Sequence, residues 1–195
     1  MCIETGELVA VVGPSGSGKS TFPQLVGLLD TPTDGAVRFD GREVGSLGDA
    51  ERTRVRLESL GFVFQRFHLL QHLTALENVM LPMEAAGIGI EERVARGAEL
   101  LTSVGMGERL RFRPSQLSGG QRQRVAVARA VANSPSVILA DEPTGELHSE
   151  DKERVVELFK ALNRQGRTIV IVTHDPEVAG MAHRQVTIRD GILRG

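Results

Sequence analysis

Short, strongly apolar runs punctuate this chain. Leu8–Val12, Val137–Ala140 and Ile169–Val172 are each of strand length and rich in Val, Ile, Leu and Ala, too short to be buried helices. With weaker runs between them, the pattern predicts strands near Glu7–Val12, Ala36–Phe39, Phe62–Phe64, Ser136–Ala140, Thr168–Val172 and Gln185–Arg189. Asp190-Gly191 then reads as a hairpin turn into a last strand, Ile192–Arg194. Apolar positions at helical spacing mark Lys19–Leu29, Ala50–Leu57, Ala75–Ala85, Glu91–Val104, Gln121–Ala132 and Asp151–Asn163. Thr74 and Glu77 stand at capping-box spacing at the start of the third of these. Strands alternating with helices predict an α/β fold with a mainly parallel sheet. The stretch from about residue 71 to 115 carries no strand and lies between two core strands, so it reads as an inserted helical lobe.

Composition narrows the class. The 195 residues, 41% of them hydrophobic, suffice for one domain with a core. The 23 basic and 25 acidic residues give a net charge of -2, which offers no electrostatic reason to expect a nucleic-acid partner. One cysteine, Cys2, excludes an internal disulfide and fits a reducing cytosol. No apolar run reaches membrane-span length, and the first residues lack the basic start and apolar core of a signal peptide. These features lead us to expect a cytosolic chain unless a partner holds it at a membrane. The aromatics are seven Phe with no Tyr or Trp.

Candidate chemistry begins at Gly13-Pro14-Ser15-Gly16-Ser17-Gly18-Lys19-Ser20, which fits the phosphate-binding pattern G-x-x-x-x-G-K-[ST] between a predicted strand and a predicted helix. Its glycines let successive backbone N–H groups turn inward around an anion, and the helix start, with Thr21, adds its positive dipole end. Lys19 can reach the β- and γ-phosphates, and the Ser20 hydroxyl can ligate Mg²⁺. Val137–Ala140 then leads into two adjacent carboxylates. Asp141 is placed to hold Mg²⁺ through water and Glu142 to orient or deprotonate an attacking water. Together these imply ATP binding and phosphoryl transfer, without saying which P-loop family.

Leu117-Ser118-Gly119-Gly120-Gln121 resembles the signature motif of ABC-type ATPases. Ser118 and Gln121 stand at capping-box spacing, and the two glycines leave backbone N–H groups bare, so this is a second anion-binding helix start. One chain has one P-loop, so the second site would serve ATP bound to another copy. The rest of the family pattern follows in order. Gln65 matches the glutamine that in the family approaches Mg²⁺ and the water, on a loop that faces the membrane subunit. His174 matches the histidine that bonds the γ-phosphate. The resemblance runs from about residue 6 to 195. It implies an ABC ATPase fold occupying the whole chain, with a RecA-like core at about 1–70 and 116–195 and a helical subdomain at about 71–115. The stretches at 27–35, 73–79, 113–119 and 140–145 resemble the branch that serves lipoprotein release and macrolide or peptide export. That likeness implies a homodimer in the ATP-bound state, a permease partner, and a place on the cytoplasmic side of the inner membrane.

Three positions depart from the family pattern. His148 stands where the family has an aspartate that bridges to the opposite P-loop, so weaker coupling between the two sites is expected. Pro23 falls beyond the first turn of a helix that starts near Gly18; an interior proline costs about 3 kcal/mol unless the helix is distorted, so a distortion beneath the phosphate loop is expected. Third, none of the twelve residues before Gly13 is aromatic. The family stacks adenine on an aromatic there, and loss of a contact of roughly 1–3 kcal/mol implies weaker ATP binding. Two other readings stay open: a truncated or degenerate paralogue with weak hydrolysis, and a soluble ABC ATPase unconnected with transport.

Overall fold

The Val- and Ile-rich runs become the centre of one sheet. In a computed structural model, which describes residues 1–14 and 16–194, the strands are β1 (Leu8–Val12), β2 (Arg38–Phe39), β3 (Arg42–Glu43), β4 (Leu60–Phe64), β5 (Val137–Asp141), β6 (Thr168–Val172), β7 (Arg184–Arg189) and β8 (Ile192–Arg194). The helices are α1 (Thr21–Val26), α2 (Asp49–Ser59), α3 (Ala75–Ala85), α4 (Ile90–Ser103), α5 (Gly119–Ala130), α6 (Ser149–Arg164) and α7 (Pro176–Gly180). Among the described residues, six strands form the main sheet in the order β4-β5-β6-β1-β7-β8, and β2-β3 form a small separate hairpin. Every neighbouring pair in the main sheet is parallel except β7-β8.

Period-2 alternation sorts the sheet's two faces. Ile138, Ala140, Ile169 and Ile171 face α5, α6 and α7 through Val127, Val155, Phe159 and Val178. Leu139, Val170, Val172 and Val11 face the other way, against Phe22 of α1 and Ile188. Strands covered on both faces read as continuous apolar runs, which explains why β1 and β6 stand out in the sequence. Between β4 and β5 the chain makes a helical lobe with its own packing. There Val79, Met83, Leu101 and Met106 meet Val125 and Ala126 of α5. The Thr74–Glu77 capping box that opens α3 is present in both directions.

The phosphate-loop helix is shorter than the apolar spacing suggests. Instead of Lys19–Leu29, α1 covers six residues. The Gly18 carbonyl accepts from the N–H groups of Thr21 and Phe22, and the regular helix begins after this turn. Pro23 therefore falls in the first turn, where a missing N–H leaves no intrahelical bond unmade. The far end closes at Leu28, which is left-handed at φ 56°. The expected distortion takes the form of a delayed start and an early stop, with no kink inside a longer helix. The apolar pattern does not mark α7 or β3, and both are very short.

Candidate active site

Parallel register does the first part of the assembly. Phe64 pairs with Asp141, Asp141 with Val172, and Val172 with Val11. Gln65, Glu142 and Thr173 are thus each the first residue beyond one of three adjacent strands, and Gly13 follows β1. Ligands of open α/β sheets bind outside the carboxyl ends of the strands, and here four such ends lie side by side.

The phosphate loop is held close to β7 and the hairpin that follows it. A Cβ on Gly13 would lie 2.2 Å from the Ile188 carbonyl oxygen, so only glycine lets the backbone approach so closely. Gly16 and Gly18 are left-handed, at φ 79° and 100°. The Gly191 N–H donates to the Ser17 carbonyl at 2.9 Å, so the β7-β8 turn braces the loop. Ser15, a predicted phosphate contact, lies outside the described residues. Lys19 lies across the loop's mouth, its Nζ donating to the carbonyls of Gly13 and Pro14 at 2.7 Å each. Ser20 precedes α1 without spending its hydroxyl on a capping bond. The Ser17 Oγ is buried and has no hydrogen-bond partner among the described residues. A loop lined with bare donors and one cation fits a polyphosphate.

Two carboxylates stand at the end of β5, in different environments. Burial pushes the Asp141 carboxyl above its ordinary range, and the Glu142 charge adds to this while Lys19 opposes it. Among the described residues no cluster of three acidic, His or Cys side chains forms a metal cage by itself. The raised value also has a stability consequence. The native state disfavours the charged form, so the unbound protein should lose stability as pH rises from the ordinary carboxylate range through the raised value. Asp141→Asn removes that slope. Urea unfolding without nucleotide should show the variant gaining on the wild type as pH rises; a pH-independent difference would refute this.

Glu142 is held by its backbone and its neighbours together. It is left-handed at φ 44°, a conformation that costs of the order of 1–3 kcal/mol for a non-glycine residue. Its N–H donates to the Val172 carbonyl at 2.8 Å. Its carboxylate accepts from the Thr173 hydroxyl at 3.1 Å and the His174 backbone N–H at 3.1 Å, and pairs with His174 Nδ1 at 2.7 Å. Thr173 is fully buried and its own N–H donates to the Val11 carbonyl. The carboxylate is 15% exposed and the imidazole 70%, so a shielded base is paired with an open histidine. Gln65 is exposed, with its amide packed against Gly145. The structure thus brings Lys19, Asp141, Glu142 and His174 to one end of the sheet, with Gln65 beside them.

The Ser118 helix start stands elsewhere. Ser118 Oγ accepts from the Gln121 N–H at 3.2 Å, and Gln121 Oε1 accepts from the Ser118 N–H at 3.0 Å. Gly119 and Gly120 open α5 directly behind this box. Gly120 packs against the Asp151 carboxylate of α6, closely enough that any Cβ there would clash. Among the described residues no hydrogen bond joins 117–121 to 13–21. Sequence reasoning missed Thr173, Gln123, and Lys152, whose ammonium pairs with Asp175 at 2.7 Å just after His174.

His148 sits at the N-cap of α6 and makes no side-chain capping bond. An aspartate there would supply one, together with a charge that favours the helix dipole. His148→Asp should raise the stability of the nucleotide-free protein by about 0.5–2 kcal/mol, read as a rise of a few degrees in Tm. An unchanged or lowered Tm would refute the missing cap.

Comparison with known proteins agrees with this geometry. Residues 1–145 match the family model described as ABC transporter. The chain is 53% identical over 188 residues to the macrolide export ATP-binding/permease protein MacB of Marinobacter nauticus, an alignment covering 96% of this chain and 29% of that protein. It is 53% identical over 190 residues to an ABC transporter ATP-binding protein of Thermotoga maritima, covering 97% of this chain and 81% of that one. The chain therefore spans less than a third of the MacB relative but most of the Thermotoga one. The ATP-binding cassette MJ0796, solved as a dimer in a post-hydrolysis state with ADP and Pi, superposes with a TM-score of 0.91 at 44% identity. That superposition covers 100% of this chain and 87% of MJ0796. None of the described helices is long and apolar enough to cross a membrane. The chain belongs to the ABC transporter family and has the fold of its ATP-binding cassettes.

Proposed function

We propose that the chain hydrolyses ATP as one of two copies that close around two nucleotides and drive a membrane permease. Each ATP lies between the Gly13–Thr21 loop of one copy and Leu117–Gln121 of the other. The observation that carries this reading is the division of the site. Lys19, Asp141, Glu142 and His174 share the strand ends, while among the described residues the Ser118 helix start, with its two glycines, makes no hydrogen bond to its own chain's phosphate loop. Two half-sites on one chain fit two copies facing each other. In this reading residues 1–70 and 116–195 form the nucleotide-binding core and 71–115 the helical subdomain.

The chemistry then follows from the side chains. Glu142 takes a proton from water as the water oxygen bonds to the γ-phosphorus. The bond from that phosphorus to the β–γ bridging oxygen breaks, leaving ADP and phosphate. Lys19 leaves the Gly13 and Pro14 carbonyls and neutralises charge on the phosphates. His174, with Nδ1 on Glu142, presents its other ring nitrogen to the γ-phosphate. Gln65 lies within reach of the water. Ser20 and Asp141, with Gln65, are the residues that would hold Mg²⁺, which when bound would offset phosphate charge. The MacB likeness supports a permease of the macrolide-export type, with lipoprotein release or peptide export as related possibilities, and hence a place at the cytoplasmic face of the inner membrane.

The test is Mg²⁺-dependent ATP hydrolysis by the purified chain, alone and with a macrolide-export-type permease in membranes. Hydrolysis stimulated by that protein supports the reading. ATP binding without hydrolysis in either case would favour a degenerate nucleotide-binding module, the alternative to which the uncapped His148 lends weight.

A further inference from the structure

α5 carries one polar side chain in its buried face. Gln123 has no exposed surface, while its neighbours Val125, Ala126 and Val127 are ordinary core residues. Its amide Nε2 donates to the Pro143 carbonyl at 2.6 Å and to the Phe64 carbonyl at 3.3 Å. Two carbonyl acceptors on one side fix which end of the amide is nitrogen. Among the described residues its buried Oε1 has no partner, a cost that a merely structural residue at this point of the core would avoid by being apolar.

Those two carbonyls have particular neighbours. Phe64 directly precedes Gln65, and Pro143 directly follows Glu142. One NH₂ group therefore ties the root of the Gln65 loop to the turn that carries Glu142. The same helix grips that loop further along. Arg129, also on α5, donates from Nη2 to Phe67 and from Nη1 to His68, at 2.9 and 2.5 Å. Both of these residues are left-handed, at φ 57° and 48°. Arg122 lies 5.0 Å from the centre of the Phe67 ring. The start of α5 is the Ser118 cap, five residues before Gln123.

We propose that Gln123 is a positioning residue for hydrolysis: its amide sets the spacing of Gln65 and Glu142 and links it to the position of α5. An anion seated on Ser118–Gly120 biases the whole helix, and Gln123 passes that bias to the two catalytic side chains of its own chain. Each hydrolytic site thereby registers whether the opposite nucleotide is in place. The inference rests on the reading of Glu142 and Gln65 as hydrolytic residues.

Gln123→Leu keeps the volume and removes the donor. It should unfold cooperatively, bind a non-hydrolysable ATP analogue within about twofold of the wild type, and lose at least tenfold in kcat, since a small misplacement of catalytic groups has effects of that size or larger. The ATP dependence of its rate should also flatten, with the Hill coefficient falling toward one. A folded Gln123→Leu protein with kcat within twofold of the wild type, or with a loss explained wholly by weaker binding, would overturn the proposal. A wild-type chain without Mg²⁺-dependent hydrolysis would instead sink the functional reading beneath it. If Gln123→Leu does not fold, the wild type answers through its side-chain amide resonances after ¹⁵N-glutamine labelling. The Gln123 NH₂ should be protected from exchange and should shift when Mg²⁺ and the analogue are added; rapid exchange or an unmoved signal would overturn the proposal.

Discussion

Glu142→Gln should lose about 10²- to 10⁴-fold in turnover, the range for removal of a positioned general base, while still binding ATP and accumulating as an ATP-bound dimer. The site tolerates the exchange of shape. Oε1 accepts from His174 and Oε2 from the Thr173 hydroxyl. In the variant an amide oxygen can keep the His174 contacts, and the new NH₂ can donate to Thr173, whose hydroxyl accepts as readily as it donates. Fold and nucleotide contacts should therefore persist, and the missing function is the proton acceptor. Single-turnover hydrolysis measures the first part and size exclusion with and without ATP the second. A variant that keeps more than a tenth of wild-type turnover would remove Glu142 from its assigned role. One that stays monomeric with ATP would argue against the paired arrangement.

Lys19→Met should be nearly as severe, with a different signature. The methionine retains the chain's length but neither the charge nor the donors. In the free protein, among the described residues, Lys19 bonds only carbonyls at the loop mouth, one of them exposed, so folding stability should change little. With ATP it forfeits charge-assisted hydrogen bonds worth about 1.5–3 kcal/mol, or roughly ten- to a hundredfold in Kd. Turnover should fall further, because the same charge acts on the transition state. Titration calorimetry and steady-state rates separate the two effects. Unchanged affinity together with unchanged kcat would show that the lysine never leaves the Gly13 and Pro14 carbonyls.

The sequence makes much of this legible where the signal is local. β6 and β8 fall on the residues that the apolar pattern and the Asp190-Gly191 turn mark out. The Thr74 and Ser118 capping boxes need only a four-residue window, and both form. α1 is misjudged because apolar spacing continues through Leu28 and Leu29 while the backbone has already turned left-handed. α7 has five residues and no room for a period; its one cue is Asp175-Pro176, a cap followed by a first-turn proline. The Glu142–His174 pair joins residues 32 apart and depends on the register of β5 against β6, which apolar spacing does not encode. Gln123 leaves a trace that could be read: a lone amide on the apolar stripe of a helix, where polar residues are buried only when they are bonded.

The register of β1 has a last consequence, for synthesis. Its two partners in the sheet, β6 and β7, lie more than 150 residues downstream in the chain. A ribosome adding about 5–20 residues per second takes on the order of ten to thirty seconds to get from β1 to β6. Throughout that time the strand leading into the phosphate loop has no hydrogen-bonded neighbour, while α3, α4 and α5 can already pack on one another. The most apolar segment near the start of the chain is thus the one that waits longest, and it is the natural place for a chaperone to act or for nascent chains to aggregate.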